Sequence, residues 1–113
     1  LARSMPLKHA MELALTGRRI DAGEAQRIGL VNAVVPRAEL RDHVARVAAE
    51  IVAGAPLSIQ ATKQVMLRSL AQPDLAAALA ERYPAAEAML ASEDAREGQR
   101  AFVEKRAPNW TGR

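Results

Sequence analysis

Apolar positions along this chain recur mostly at helical spacing. Leu7, Ala10, Met11 and Ala14 form one stripe behind Pro6. Proline suits a first helical turn, where its missing N–H would be unpaired anyway. Ser4 is placed to cap that helix, and Gly17 to end it in a left-handed conformation. Asp21 followed three residues on by Glu24 predicts a capping box opening a short helix that stops at Gly29. Leu40, Val44, Val47 and Ile51 then mark one face of an amphipathic helix, broken at Gly54-Ala55-Pro56. Pro56 starts the next helix, with Ile59, Met66 and Leu70 on one side, and Gln72-Pro73-Asp74 makes a turn. Leu75, Leu79, Ala86 and Leu90 predict a third long segment, with a kink or break near Tyr83 because Pro84 removes a backbone donor. Ser92-Glu93-Asp94 opens the last helix; Asp94 with Glu97 repeats the capping-box spacing, and the helix is expected to run through Lys105 and Arg106, whose charges suit its negative end.

One stretch departs from this periodicity. Leu30-Val31-Asn32-Ala33-Val34-Val35, ending at Pro36, is rich in β-branched residues and reads as a short strand. A lone strand makes no sheet. Its partner would come from Arg18-Arg19-Ile20 or from outside this sequence.

Composition changes the picture in one respect. Half of the 113 residues are hydrophobic, yet only Tyr83, Phe102 and Trp110 are aromatic, and the rest are mainly Ala, Leu and Val. Small side chains bury little area each, so the core is expected to be modest and much apolar surface to face another piece of protein. The net charge of +3 comes with acidic residues mixed throughout. That lacks the clustered basic surface of a nucleic-acid binder. There is no cysteine, hence no disulfide and no cysteine-based metal or redox site, which fits a cytoplasmic location. No apolar run approaches the about 18 residues of a membrane span. The chain opens Leu1-Ala2-Arg3-Ser4 without an initiator methionine, which either processing or truncation explains.

Candidate chemistry is sparse. His9 and His43 fall in different helices, have no Cys or third His beside them, and are expected to be solvent-exposed rather than metal ligands. The glutamates mostly fall where caps and solvated faces put them, and neither a nucleophile elbow nor a glycine-rich phosphate loop is present. Gly98, inside an otherwise good helix, costs about 1 kcal/mol relative to alanine. It implies either close approach by another element, such as another subunit, or a tolerated surface glycine. Phe102 and Lys105, three apart near the end of the last helix, could cover an apolar ligand and meet an anion.

The order of landmarks is more specific than any one of them. Glu12-Leu13-Ala14-Leu15-Thr16-Gly17-Arg18-Arg19-Ile20, Ala22-Gly23-Glu24-Ala25 and Gly29-Leu30-Val31-Asn32-Ala33-Val34-Val35-Pro36 come first. Ala55-Pro56, Lys63, Ser92-Glu93-Asp94-Ala95-Arg96-Glu97-Gly98 and Ala101-Phe102-Val103-Glu104-Lys105-Arg106 follow. Together they resemble the C-terminal portion of the enoyl-CoA hydratase/isomerase (crotonase) family. The resemblance implies a mainly α chain, the C-terminal helical region of a crotonase-like α/β spiral fold with at most one or two short strands. Residues 1–36 would end the core and residues 37–113 would form a helical assembly and lid region.

For function, it implies a lyase-like parent that adds water to 2-enoyl-CoA thioesters or isomerises them, with no cofactor beyond the coenzyme A of the substrate. The parent would be a homo-oligomer, a trimer or hexamer. The oxyanion hole and the two hydratase glutamates would lie upstream of Leu1, so no residue here is assigned as catalytic and this chain alone is expected to be inactive. Phe102 would line an acyl pocket, and Lys105 would pair with a phosphate of a neighbouring subunit's acyl-CoA. A non-catalytic helical oligomerisation module remains the alternative.

Overall fold

The computed structural model describes residues 3–113; Leu1 and Ala2, on which the abrupt start of the sequence falls, lie outside the described residues. Among the described residues seven α-helices follow one another: α1 Leu7–Thr16, α2 Ala22–Arg27, α3 Leu40–Val52, α4 Pro56–Ser69, α5 Leu75–Ala80, α6 Pro84–Ala91 and α7 Glu93–Glu104, with a short 3-10 turn at Arg37–Glu39 ahead of α3. The chain divides into two compact units, Leu1–Val44 and Ala45–Arg113.

In the first unit, α1 and α2 gather a small core of Met5, Ala10 and Ile28, flanked by Leu13, Ile20 and Leu30. Gly17 ends α1 at φ 63°, as its lack of a Cβ allows, with its N–H on the Leu13 carbonyl. Ser4 does not cap α1: Pro6 holds the N-cap position and no side chain bonds there. At α2 the capping box is half made. Asp21 accepts the Glu24 N–H at 2.7 Å, but the Glu24 carboxylate turns away to Arg18. Arg18 also donates to Glu12 at 2.8 Å, tying α1 to α2.

The expected strand at Leu30–Val35 is absent; among the described residues there is no strand. The Leu30 and Val31 N–H groups both donate to the Ala25 carbonyl, at 2.8 and 3.3 Å, so the segment wraps onto the end of α2 and then runs irregularly to Pro36. Arg18-Arg19-Ile20 is irregular too and offers no pairing edge. β-branched residues favour a pleated surface only where a neighbouring strand supplies one.

In the second unit, α6 packs along α4, where Ala61 is buried. The Gln64 side chain accepts the Ala85 N–H at 3.1 Å across that contact. The third long segment breaks before Pro84 as expected. α5 ends at Ala80, Tyr83 becomes the N-cap of α6, and the Tyr83 hydroxyl donates to the Ala78 carbonyl at 2.8 Å. Glu81 in the break holds Arg68 and Gln72, and the Arg68 guanidinium lies 5.8 Å from the Tyr83 ring centroid.

The last helix opens at Ser92-Glu93 as expected, but its capping residue and its end differ from expectation. Ser92, not Asp94, is the N-cap of α7: its Oγ accepts the Ala95 N–H at 3.1 Å. The helix stops at Glu104, one residue before Lys105. His9 and His43 are half-buried rather than exposed.

Among the described residues, four of the six buried apolar ones are alanines: Ala10, Ala25, Ala61 and Ala101. Larger apolar side chains stay outside, among them Leu40, Val44, Val47 and Ile51 of α3 and Met66, Leu67 and Leu70 of α4. The thin core inferred from composition is what the chain builds, and the apolar face predicted for α3 lies open.

Candidate functional site

The C-terminal end of α7 carries both residues singled out in the sequence. Phe102 is 86% exposed on the last turn, beside Val103, which is also exposed. Lys105 follows Glu104 with φ 54° and ψ 39°, the only described residue other than glycine at positive φ. A side chain in that region crowds the following carbonyl and costs about 1–2 kcal/mol, so something must hold it.

Backbone hydrogen bonds do part of this. The Lys105 N–H bonds to the Phe102 carbonyl at 3.3 Å and the Arg106 N–H to the Ala101 carbonyl at 3.1 Å. These are the paired bonds of a Schellman cap, a position usually given to glycine. Arg106 then turns back along the helix. Its guanidinium makes two parallel bonds to Glu97, at 2.6 and 3.0 Å, and a third to Glu104 at 2.6 Å. Glu97 also accepts the Asn109 N–H at 2.9 Å. Arg106 first, and Asn109 second, hold the Glu97 carboxyl down to a pKa of about 2.

The tail beyond is strapped onto the same helix. Buried Asp94 accepts the Thr111 N–H at 2.7 Å, the Thr111 hydroxyl at 3.1 Å and the Gly112 N–H at 2.9 Å. These bonds favour its ionised form and lower its pKa. Its own N–H donates to the Arg113 carbonyl at 3.1 Å. Trp110 lies over Gly98 and donates from its indole Nε1 to the Ala53 carbonyl at 2.9 Å. The close approach that Gly98 implied therefore comes from this chain's own tail.

Lys105 is left as an exposed cation with no carboxylate partner among the described residues. The structure thus puts an open aromatic ring and an unpaired ammonium at one helix end. The expectation that they share a helical face does not hold, because Lys105 has left the helix. Glu97, Asp94 and Trp110 were missed as supports. Arg106 reaches Glu97 over nine residues and Thr111 reaches Asp94 over seventeen, neither a helical spacing. Among the described residues no cluster of three or more His, Cys, Asp or Glu could hold a metal ion. No single described helix is long and apolar enough to cross a membrane.

A concave surface lies between the end of α3 and α4. It is an apolar groove of about 500 Å³ lined by Ile51, Ile59, Met66 and Leu67, with Lys63 and Glu50 at its edge.

A family model described as enoyl-CoA hydratase/isomerase matches residues 1–113, the whole chain. The chain belongs to the enoyl-CoA hydratase/isomerase family. Curated relatives include carnitinyl-CoA dehydratases from Escherichia coli strain K12, 40% identical, and from Salmonella typhi, 39% identical; each match takes in all of this chain and 44% of the relative. Among solved structures, an enoyl-CoA hydratase from Mycobacterium tuberculosis H37Rv superposes with a TM-score of 0.90 at 36% identity, over 100% of this chain and 44% of that one. An enoyl-CoA hydratase from Bacillus anthracis gives 0.89 at 34%, over 98% and 43%.

The chain thus spans less than half the length of these relatives and corresponds to their C-terminal part. As a member of the enoyl-CoA hydratase/isomerase family it presents the helical C-terminal region of a crotonase-like fold. The break at Pro84 is compatible with close superposition on these relatives.

Proposed function

We propose that this chain serves as the C-terminal segment of an acyl-CoA lyase that hydrates 2-enoyl-CoA thioesters. It contributes contacts to the acyl-CoA and to assembly as a homo-oligomer in the cytoplasm. In that reaction water adds across the 2,3 double bond: one carboxylate removes a proton from water as its oxygen bonds C3, and another acid delivers a proton to C2. Polarisation of the thioester carbonyl by two backbone N–H groups stabilises the enolate-like charge that develops. Both functions are assigned to residues upstream of this chain. Residues 1–36 complete the catalytic core, and residues 37–113 form the assembly and lid region. No metal or separate cofactor is assigned; coenzyme A arrives with the substrate.

The observation that carries this reading is the end of α7, where Phe102 is open and Lys105 is an unpaired cation held at positive φ. A ring suits an acyl chain, and an ammonium suits a CoA phosphate of a neighbouring subunit. The exposed apolar faces of α3 and α4 support burial against further protein. The 39–40% identity to carnitinyl-CoA dehydratases favours a second reading of the same site, water elimination from carnitinyl-CoA, the same chemistry in reverse.

The test is a chimera in which this chain replaces the matched C-terminal part of the Mycobacterium tuberculosis hydratase. It is expected to hydrate crotonyl-CoA, with Phe102→Ala and Lys105→Ala each raising KM, whereas the 113-residue chain alone is inactive. Turnover by the chain alone, or KM unmoved in both variants, overturns the proposal. Activity on carnitinyl-CoA in place of crotonyl-CoA selects the second reading.

A further inference from the structure

Glu97 has a role that neither its capping-box spacing nor a solvated helix face accounts for. It sits two turns upstream of the end of α7, and its carboxylate takes both arms of the Arg106 guanidinium and the Asn109 N–H. Arg106 is the residue immediately after Lys105, and its own N–H closes the cap on Ala101. The chain is therefore fixed on both sides of Lys105. On one side stands the last turn of α7, and on the other a guanidinium anchored at three points. Between these anchors Lys105 is kept in a backbone region that a lysine would leave if released. We infer that Glu97, acting through Arg106, is a positioning residue that locks Lys105 in the left-handed conformation and so aims its ammonium at the phosphates of a coenzyme A thioester. This rests on the role proposed above for Lys105 and adds the device that sets its direction.

A structural explanation competes with it: Arg106–Glu97 could simply fasten the tail. The tail, however, has its own fastening. Asp94 takes Thr111 and Gly112, and Trp110 bonds Ala53. Glu97 takes the Asn109 N–H as well, but two of its three bonds go to Arg106, the residue next to Lys105. A bidentate guanidinium–carboxylate pair fixes orientation as well as distance, which a lysine at position 106 would not reproduce. Strain held at a residue that meets a ligand is a recognised means of presenting it before the ligand arrives.

The experiment uses the chimera and two substrates, crotonyl-CoA and crotonyl-pantetheine, which share the reacting group but differ in the nucleotide and its phosphates. The readout is the ratio of their KM values, and crotonyl-pantetheine turnover reports that each variant is folded. Lys105→Ala is expected to erode the preference for the CoA thioester about tenfold, the worth of one charge-assisted contact. Glu97→Gln and Arg106→Lys are each expected to erode it roughly fivefold, the population lost when a strained αL residue is released, and to add little on top of Lys105→Ala. If Lys105→Ala leaves the ratio unmoved, the assigned role of Lys105 falls. If Lys105→Ala erodes it while Glu97→Gln and Arg106→Lys do not, or if those two weaken both substrates equally, the positioning role alone is overturned.

Discussion

The indole of Trp110 packs closely against Gly98. A Cβ at position 98 would stand 3.3 Å from Cη2 of the ring. The ring has little room to retreat, because its Nε1 is bonded to the Ala53 carbonyl and the next two residues are held by Asp94. Gly98→Ala should therefore not deliver the about 1 kcal/mol that alanine gives in an open helix. In a Trp110→Ala background the same substitution should deliver it. A denaturant double-mutant cycle measures the difference; equal effects in both backgrounds would dismiss the steric coupling.

Acid should weaken the second unit. Glu97 has a folded pKa of about 2, and Asp94 is also lowered. For a depressed carboxyl the unfolded chain binds more protons, so stability rises with pH across the interval. The contribution is complete above the unfolded carboxylate range, near pH 4–5, and is lost as pH falls towards 2. Trp110 fluorescence followed through acid unfolding should show this loss, and Glu97→Gln should flatten it. A wild-type slope of opposite sign would contradict the assignment.

Strain at Lys105 makes stability and affinity separable. Lys105→Gly places at φ 54° the residue that tolerates it, and should stabilise the chain by up to about 1 kcal/mol. The same substitution removes the ammonium and should raise KM for crotonyl-CoA in the chimera. Melting temperature and KM measured on one preparation decide it: a fall in melting temperature would mean that the lysine is unstrained there.

Caps can be tested against one another. Ser92→Ala removes an oxygen that accepts the Ala95 N–H and a hydroxyl that donates to Met89 at 2.6 Å. The cost should be about 1 kcal/mol. Ser4→Ala should cost nothing measurable, since no side chain caps α1. Chemical denaturation of the two variants would reverse this ranking if the sequence pattern around Ser4 were the better guide.

That last contrast shows how much was legible beforehand. Helix existence followed from periodicity, and prolines 56 and 84 and Gly17 marked boundaries through backbone constraints that no neighbour can override. Side-chain destinations were harder. Asp94 and Ser92 both look like N-caps in sequence, and only the return of the tail decides that Asp94 bonds Thr111 and Gly112 instead. Leu30–Val35 has strand composition, but pairing depends on an edge that a local pattern does not reveal. At the candidate site Phe102 and Lys105 were visible through an ordered set of family landmarks. Glu97 was not, because its link to Arg106 closes a nine-residue span that includes a left-handed step.

The alanine interior has a consequence for how this region tolerates change. Most cores suffer when a side chain shrinks and leaves a void. At Ala61 and Ala101 almost nothing is left to remove. Harm here comes from growth: even valine must push aside the neighbours packed around these short side chains. A mutational scan should therefore find these interior positions intolerant of bulk, while the large apolar residues of α3, left in the open, accept truncation at little cost to this chain's own folding.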